Sequence, residues 1–142
     1  MSGTDINFSI TMIIMTMALK RETGSSMLKK KNENELSVIT EEIVNETREL
    51  LKDDIYKIIL YGSCARGDFD SESDIDVMII VNCRKEEISR HRKQVSKVAS
   101  RIGLKNDIEI SMLLRDKDTF ERNEGVLPFY KNIQREGVAL YG

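Results

Sequence analysis

The span Ile59–Val81, ILYGSCARGDFDSESDIDVMIIV, constrains this chain more than any other part of it. Two apolar runs flank a turn rich in glycine and acidic residues. The second run is apolar from Val77 onward, which predicts a central strand covered on both faces. Yet it opens with Asp74 and Asp76, two residues apart, so on a strand both side chains leave the same face. Like charges gathered on one face of a sheet repel. Either a cation or a solvated acidic loop has to offset that repulsion.

The neighbouring segments surround this unit with regular elements. IYKIILYG, ending at Gly62, is β-branched and aromatic and reads as a strand. Before it, Leu36, Ile39, Ile43, Thr47 and Leu50 recur at helical spacing, widened by Val44 and Leu51. Asn32 or Asn34 is suited to cap that helix, Glu41 and Glu42 are expected in solvent, and Asp53-Asp54 ends it. After the aspartate strand, CRKEEISRHRKQVSKVASRIG predicts a helix that buries Ile88, Val95, Val98 and Ile102, with Gly103 as its left-handed cap. Its other side is basic, carrying Arg90, Arg92, Lys93 and Lys97, and His91 is expected on this exposed face. DIEISMLLRD predicts a third strand, with Asp107, Glu109 and Ser111 on one face and Ile108, Ile110 and Leu113 mostly on the other. A short helix over DTFERNEG, a helix opened by Pro128 and a terminal strand in VALYG complete the chain. The expected fold class is α+β: a small mixed β-sheet packed with helices.

The 142 residues suffice for one domain with its own core, and 40% apolar with 32% charged residues suits a globular chain. A net charge of −2 gives no general attraction to nucleic acid, so direct nucleic-acid binding is not expected. Cys64 and Cys83 are too few for a disulfide scaffold and lack metal-ligand spacing, which points to the cytoplasm. FSITMIIMTMAL, Phe8–Leu19, is too short to span a bilayer as a helix, so no membrane partner is expected. The polar stretch that follows, with Gly24-Ser25-Ser26 in its middle, suggests an N-terminal appendage over residues 1–26 and a domain over 27–142.

Hard divalent cations, above all Mg²⁺, take one or two carboxylates and leave coordination positions for phosphate. If the second and third strands are neighbours, Glu109 can join Asp74 and Asp76 as a third carboxylate. Asp107 is a competing choice, since it shares the expected strand face; the apolar flanks Ile108 and Ile110 favour Glu109. Two such ions can clamp an in-line displacement at phosphorus. The turn suits the same task. Gly62 permits close approach of backbone amides to phosphate, Ser63 offers a hydroxyl, and Arg66 offers a fixed positive charge. Cys64, with no histidine near it in sequence, reads as a small residue filling the turn.

GSCARG followed by SDIDV resembles the Gly-Ser, ten-residue gap, Asp-x-Asp signature of the DNA polymerase β-type nucleotidyltransferase superfamily. IEI resembles its third, apolar-acid-apolar element, and the short chain ending in LPFYKNIQREGVALYG is most similar to the minimal nucleotidyltransferases. The resemblance spans roughly residues 35–142. It implies a polymerase β-like fold and an Mg²⁺-dependent transfer of AMP from ATP, with two ions. Asp74, Asp76 and Glu109 would be the catalytic and metal-binding residues, and Gly62, Ser63 and Arg66 the nucleotide-binding ones. It further implies an antitoxin that modifies a hydroxyl, tyrosine first, on an all-helical HEPN toxin. The alternatives are a small-molecule nucleotidyltransferase of the aminoglycoside type, or an antitoxin that masks its partner by binding alone.

Overall fold

The computed structural model describes residues 33–68 and 74–142; the expected break after residue 26 and the possible cap at Asn32 lie outside them. Helix α1 (Glu33–Leu51) passes through a 3₁₀ turn, Lys52–Asp54, into strand β1 (Ile55–Tyr61). One helical turn, α2 (Ser63–Arg66), follows at once. Then come β2 (Ile75–Val81), the long helix α3 (Lys85–Asn106) and β3 (Ile110–Asp116). The chain closes with α4 (Lys117–Asn123), α5 (Pro128–Glu136) and β4 (Val138–Tyr141). The sheet order is β3-β2-β1-β4. β1 runs antiparallel to both its neighbours, while β2 and β3 are parallel, joined by the crossover helix α3. The sheet is therefore mixed and the fold α+β, as the order of segments implies.

Strand alternation divides the sheet between two cores. Ile75, Val77, Ile79 and Val81 of β2, with Ile58 and Leu60 of β1, pack beneath Ile39, Ile43 and Val44 of α1 and Val95, Val98 and Ile102 of α3. On the opposite face Met78, Ile80 and Ile59 meet Phe120 of α4 and Tyr130 and Ile133 of α5. β2 is thus covered on both sides, and Val77 through Val81 are fully buried. Burying a single large apolar side chain contributes about 1.5–3 kcal/mol, so this strand anchors the domain. Asp76 occupies the first position of the row that continues as Met78 and Ile80. A charged residue stands there because the row ends at the sheet's rim.

Several expectations change. Helix α3 does not stop at Gly103, which is buried within it; the chain leaves the helix at Asp107, in the left-handed region at φ 52°. A Cβ on Gly103 would lie 2.7 Å from the Ile108 carbonyl oxygen, so glycine is required there for close packing rather than for a cap. Asp107 and Glu109 consequently precede β3 instead of lying on it. Leu113 joins the α4/α5 core, opposite Ile110 and Met112. Glu42 and Glu46 are not free in solvent: they pair across to Lys105 and Arg101 of α3. His91 is only 5% exposed, although its neighbours Arg90 and Arg92 are exposed.

Candidate active site

At the rim where β1 ends and β2 begins, the backbone turns sharply. Gly62 has φ 77° and ψ −157°, a region open essentially to glycine alone. Its carbonyl accepts from Arg66 N at 3.1 Å, which closes α2, and Gly67 exits at φ 80°. The expected bend after Gly62 is therefore one turn of helix. Gly62 also makes room: a Cβ there would come within 2.6 Å of Asp76 Oδ2. Tyr61, the residue before it, pairs directly with Asp76 across the β1–β2 ladder.

The parallel β2–β3 register supplies the third carboxylate. Ile75 pairs with Ile110 and Asp76 with Ser111, while Ile75 N donates to the Glu109 carbonyl at 3.0 Å. Asp74 and Glu109 therefore flank the same end of the two strands. Burial raises the Asp76 carboxyl above the ordinary carboxylate range, and the charges of Asp74 and Glu109 raise it further; the Arg66 guanidinium opposes them. Asp74, Asp76, Glu109, Gly62 and Arg66 thus converge on one rim. Asp107, by contrast, caps α3, and with Glu109 it lines a cleft of about 590 Å³ that also includes Ala99, Leu104 and Ile108; it is not among the charges that bear on Asp76. Ser63 begins α2 beside Gly62 and is half-buried. Cys64 is buried in the turn, and its thiol donates to the Asp74 carbonyl at 3.4 Å. It fills the turn, as its size suggests, and also tethers the strand carrying the aspartates.

Sequence reading missed the other wall. A cleft of about 180 Å³ opens beside Gly62 and Arg66, lined also by Tyr61, Phe129, Asn132, Ile133 and Glu136. Phe129 meets Tyr61 edge-on, with ring centroids 5.8 Å apart. Burial raises the Tyr61 hydroxyl above its ordinary range; the Asp76 charge adds to this and Arg115 counters it. The alternation of β1 could have placed Tyr61 on the face of Asp76. Nothing local could have brought α5 there.

The donor set suits a hard cation. Three carboxylates on one rim offer oxygen ligands only, and their mutual repulsion, registered at Asp76, is what a divalent ion relieves. Arg66, 46% exposed at its side chain, pairs with Asp68 at 3.3 Å. In that exposed position the pair is worth little, so the guanidinium can exchange partners with an incoming anion.

Residues 40–138 match the family model described as nucleotidyltransferase domain. Two proteins of Methanocaldococcus jannaschii are similar to the chain. "Putative protein adenylyltransferase MJ0141" is 40% identical over 83 residues, covering 58% of this chain and 82% of that protein. "Putative protein adenylyltransferase MJ0604" is 31% identical over 100 residues, covering 70% and 92% respectively. A crystal structure from Sulfolobus solfataricus, titled as a putative nucleotidyltransferase, aligns with TM-score 0.46 and 22% identity over 72% of this chain and 76% of that one.

Proposed function

This chain belongs to the nucleotidyltransferase domain family, and we propose that it transfers AMP from ATP to a side-chain hydroxyl of a partner protein. The observation that carries this reading is the convergence of Asp74 and Glu109 on Asp76, with Gly62 and Arg66 alongside. The printed names of the two archaeal relatives support a protein acceptor. So does the apolar surface beside the cleft, where Val126, Leu127 and Phe129 are 65%, 44% and 43% exposed. Solvent-facing apolar groups clustered at a reactive rim suit a folded partner better than a small polar substrate. By resemblance of the motif and of the carboxyl-terminal segment, the partner is a HEPN toxin and the acceptor a tyrosine.

In this reading Asp74, Asp76 and Glu109 would hold Mg²⁺, as two ions. Bound there, Mg²⁺ supplies charge neutralisation at the attacking and leaving oxygens. Gly62 lets the main chain approach the triphosphate, the Ser63 hydroxyl donates to it, and Arg66 offsets its negative charge. The acceptor oxygen forms a bond to the α-phosphorus of ATP as the bond to the bridging oxygen breaks, and pyrophosphate leaves. Glu109, exposed in its setting before β3, accepts the hydroxyl proton. Catalysis is then mostly orientation and electrostatics.

Intact mass spectrometry tests the proposal directly. Incubated with a HEPN protein as the proposed partner, ATP and Mg²⁺, the chain should add AMP-sized increments to that partner, and Asp76→Ala should add none. Neutralisation of the toxin by Asp76→Ala with no mass added by either form would replace transfer with masking.

A further inference from the structure

At the other end of β1 and β2 stands a second set of ligand-type side chains. Asp54 closes the 3₁₀ turn before β1, Cys83 follows β2, and His91 lies in the second turn of α3. Their oxygen, sulfur and nitrogen atoms all lie within 4.8 Å of one another. At about 3.3 Å per strand residue, this end is roughly 20–25 Å from Gly62 and Asp76. We propose that Asp54, Cys83 and His91 form a site for a tetrahedral divalent transition ion, zinc first, independent of the nucleotidyltransferase centre.

Four observations carry the assignment. His91 is almost wholly buried, yet its Nε2 faces Asp54 Oδ2 at 3.0 Å and its Nδ1 faces Gln94 Oε1 at 3.2 Å. With Nδ1–H donating to Gln94, Nε2 presents a lone pair to a carboxylate, an arrangement that a cation between them satisfies. Ligating histidines commonly fix their other ring nitrogen through such a partner. Second, bond lengths of about 2.0–2.3 Å from zinc to oxygen, nitrogen and sulfur put ligand atoms roughly 3.3–3.7 Å apart in a tetrahedron. The 3.0 Å separation of His91 Nε2 and Asp54 Oδ2 is close to that span, and the Cys83 sulfur lies within 4.8 Å of both. Third, burial first and then the charges of Asp54, Glu87 and Asp116 raise the Cys83 thiol above its ordinary range, with Arg90 opposing them, and a bound cation would offset those charges. Fourth, the scaffold is rigid, with Asn82 N donating to the Asp54 carbonyl at 2.7 Å beside the buried end of β2. The thiolate and the imidazole, alongside one carboxylate, select zinc over magnesium, and Asp54, partly exposed, leaves room for water as a fourth ligand. Cys83 binds as thiolate, and its proton passes to solvent.

The full chain, stripped with chelator, is titrated with Co²⁺ and then Zn²⁺. Expected are a near-ultraviolet thiolate-to-cobalt absorption band that saturates at one equivalent, and a melting temperature raised by Zn²⁺. Gln94→Ala should weaken zinc binding roughly 10–100-fold, and Cys83→Ser by at least as much while abolishing the band. Cys64→Ser and the Asp74→Asn/Asp76→Asn pair should keep the band and the affinity. His91→Gln risks the fold because the ring is buried, so the half-buried Cys83 carries the decision. Equal zinc affinity in wild type and Cys83→Ser, or no thiolate band in wild type, would overturn the site and leave His91 and Asp54 as a hydrogen-bonded pair in the other tautomer.

Discussion

The carboxylate of Asp76 stands directly over Gly62, with its Oδ2 where the first carbon of any other side chain would have to go. The positive φ of 77° at Gly62 and the neighbouring aspartate are therefore one feature. A chain that brings a carboxylate this close to a turn needs the turn to have no side chain.

Gly62→Ala should consequently damage both fold and activity. The backbone conformation costs a non-glycine residue about 1–3 kcal/mol, and displacing Asp76 adds to that. Urea denaturation should show the loss of stability, and AMP transfer should drop sharply. Ser63→Ala, which removes one hydroxyl without strain, should leave stability nearly unchanged and weaken ATP binding less than Gly62→Ala does. Equal ATP affinity in all three proteins, measured by calorimetry, would make the turn purely structural.

Asp76→Asn should stabilise the metal-free protein at neutral pH while abolishing transfer. Asp76 has a raised folded-state pKa, so its ionisation disfavours the native state once pH exceeds that value. As pH falls through the raised pKa toward the ordinary carboxylate range, the native protein takes up the proton first and the penalty fades. Denaturation midpoints should therefore differ most near pH 7 and converge in acid. A variant less stable than wild type at pH 7 would contradict the repulsion at this rim.

Glu109 and Asp107 can be separated by substitution. Glu109→Gln should lower transfer at least 100-fold, roughly the contribution of a general base, with little effect on the melting temperature. Asp107→Asn should leave transfer within about twofold, because Asp107 caps α3 and asparagine tolerates the left-handed conformation well. Parallel rate measurements on the two variants decide the assignment, and the reverse ranking would move the third carboxylate to Asp107.

Asp116 offers a test of stability away from the chemistry. Its carboxylate caps α4, accepting from Thr119 N at 3.0 Å and Thr119 Oγ1 at 2.7 Å. The hydrogen bond from the Thr119 side chain, chiefly, holds its pKa below the ordinary value. Asp116→Ala should cost about 0.5–2 kcal/mol at pH 7. The cap's contribution is present above the unfolded-state pKa and is lost as pH falls through the depressed folded one. The stability difference between wild type and variant should therefore shrink in strong acid, read by denaturant titration.

Local patterns in the chain were enough to define most of its elements. The alternation and apolar run of VMIIV marked a central strand, because strand side chains repeat every two residues whatever lies beyond, but the strand begins at Ile75 and leaves Asp74 just before it rather than on the face of Asp76. The spacing from Gly62 to Asp76 was likewise readable, since both lie within one short segment of sequence. The rest depended on what packs across from each residue. Only the parallel pairing of β2 with β3 brings Glu109 to Asp74, and only the extra turn of α3 beyond Gly103 takes Asp107 away. A glycine inside a helix looks like a helix end until the Ile108 carbonyl is seen to fill the space beside it. His91, set between two exposed arginines, has a buried side chain because the helix face at that position turns toward Asp54, thirty-seven residues earlier in the chain. Periodicity is a property of neighbours in sequence, whereas burial, charge convergence and the meeting of Asp54, Cys83 and His91 are properties of neighbours in space.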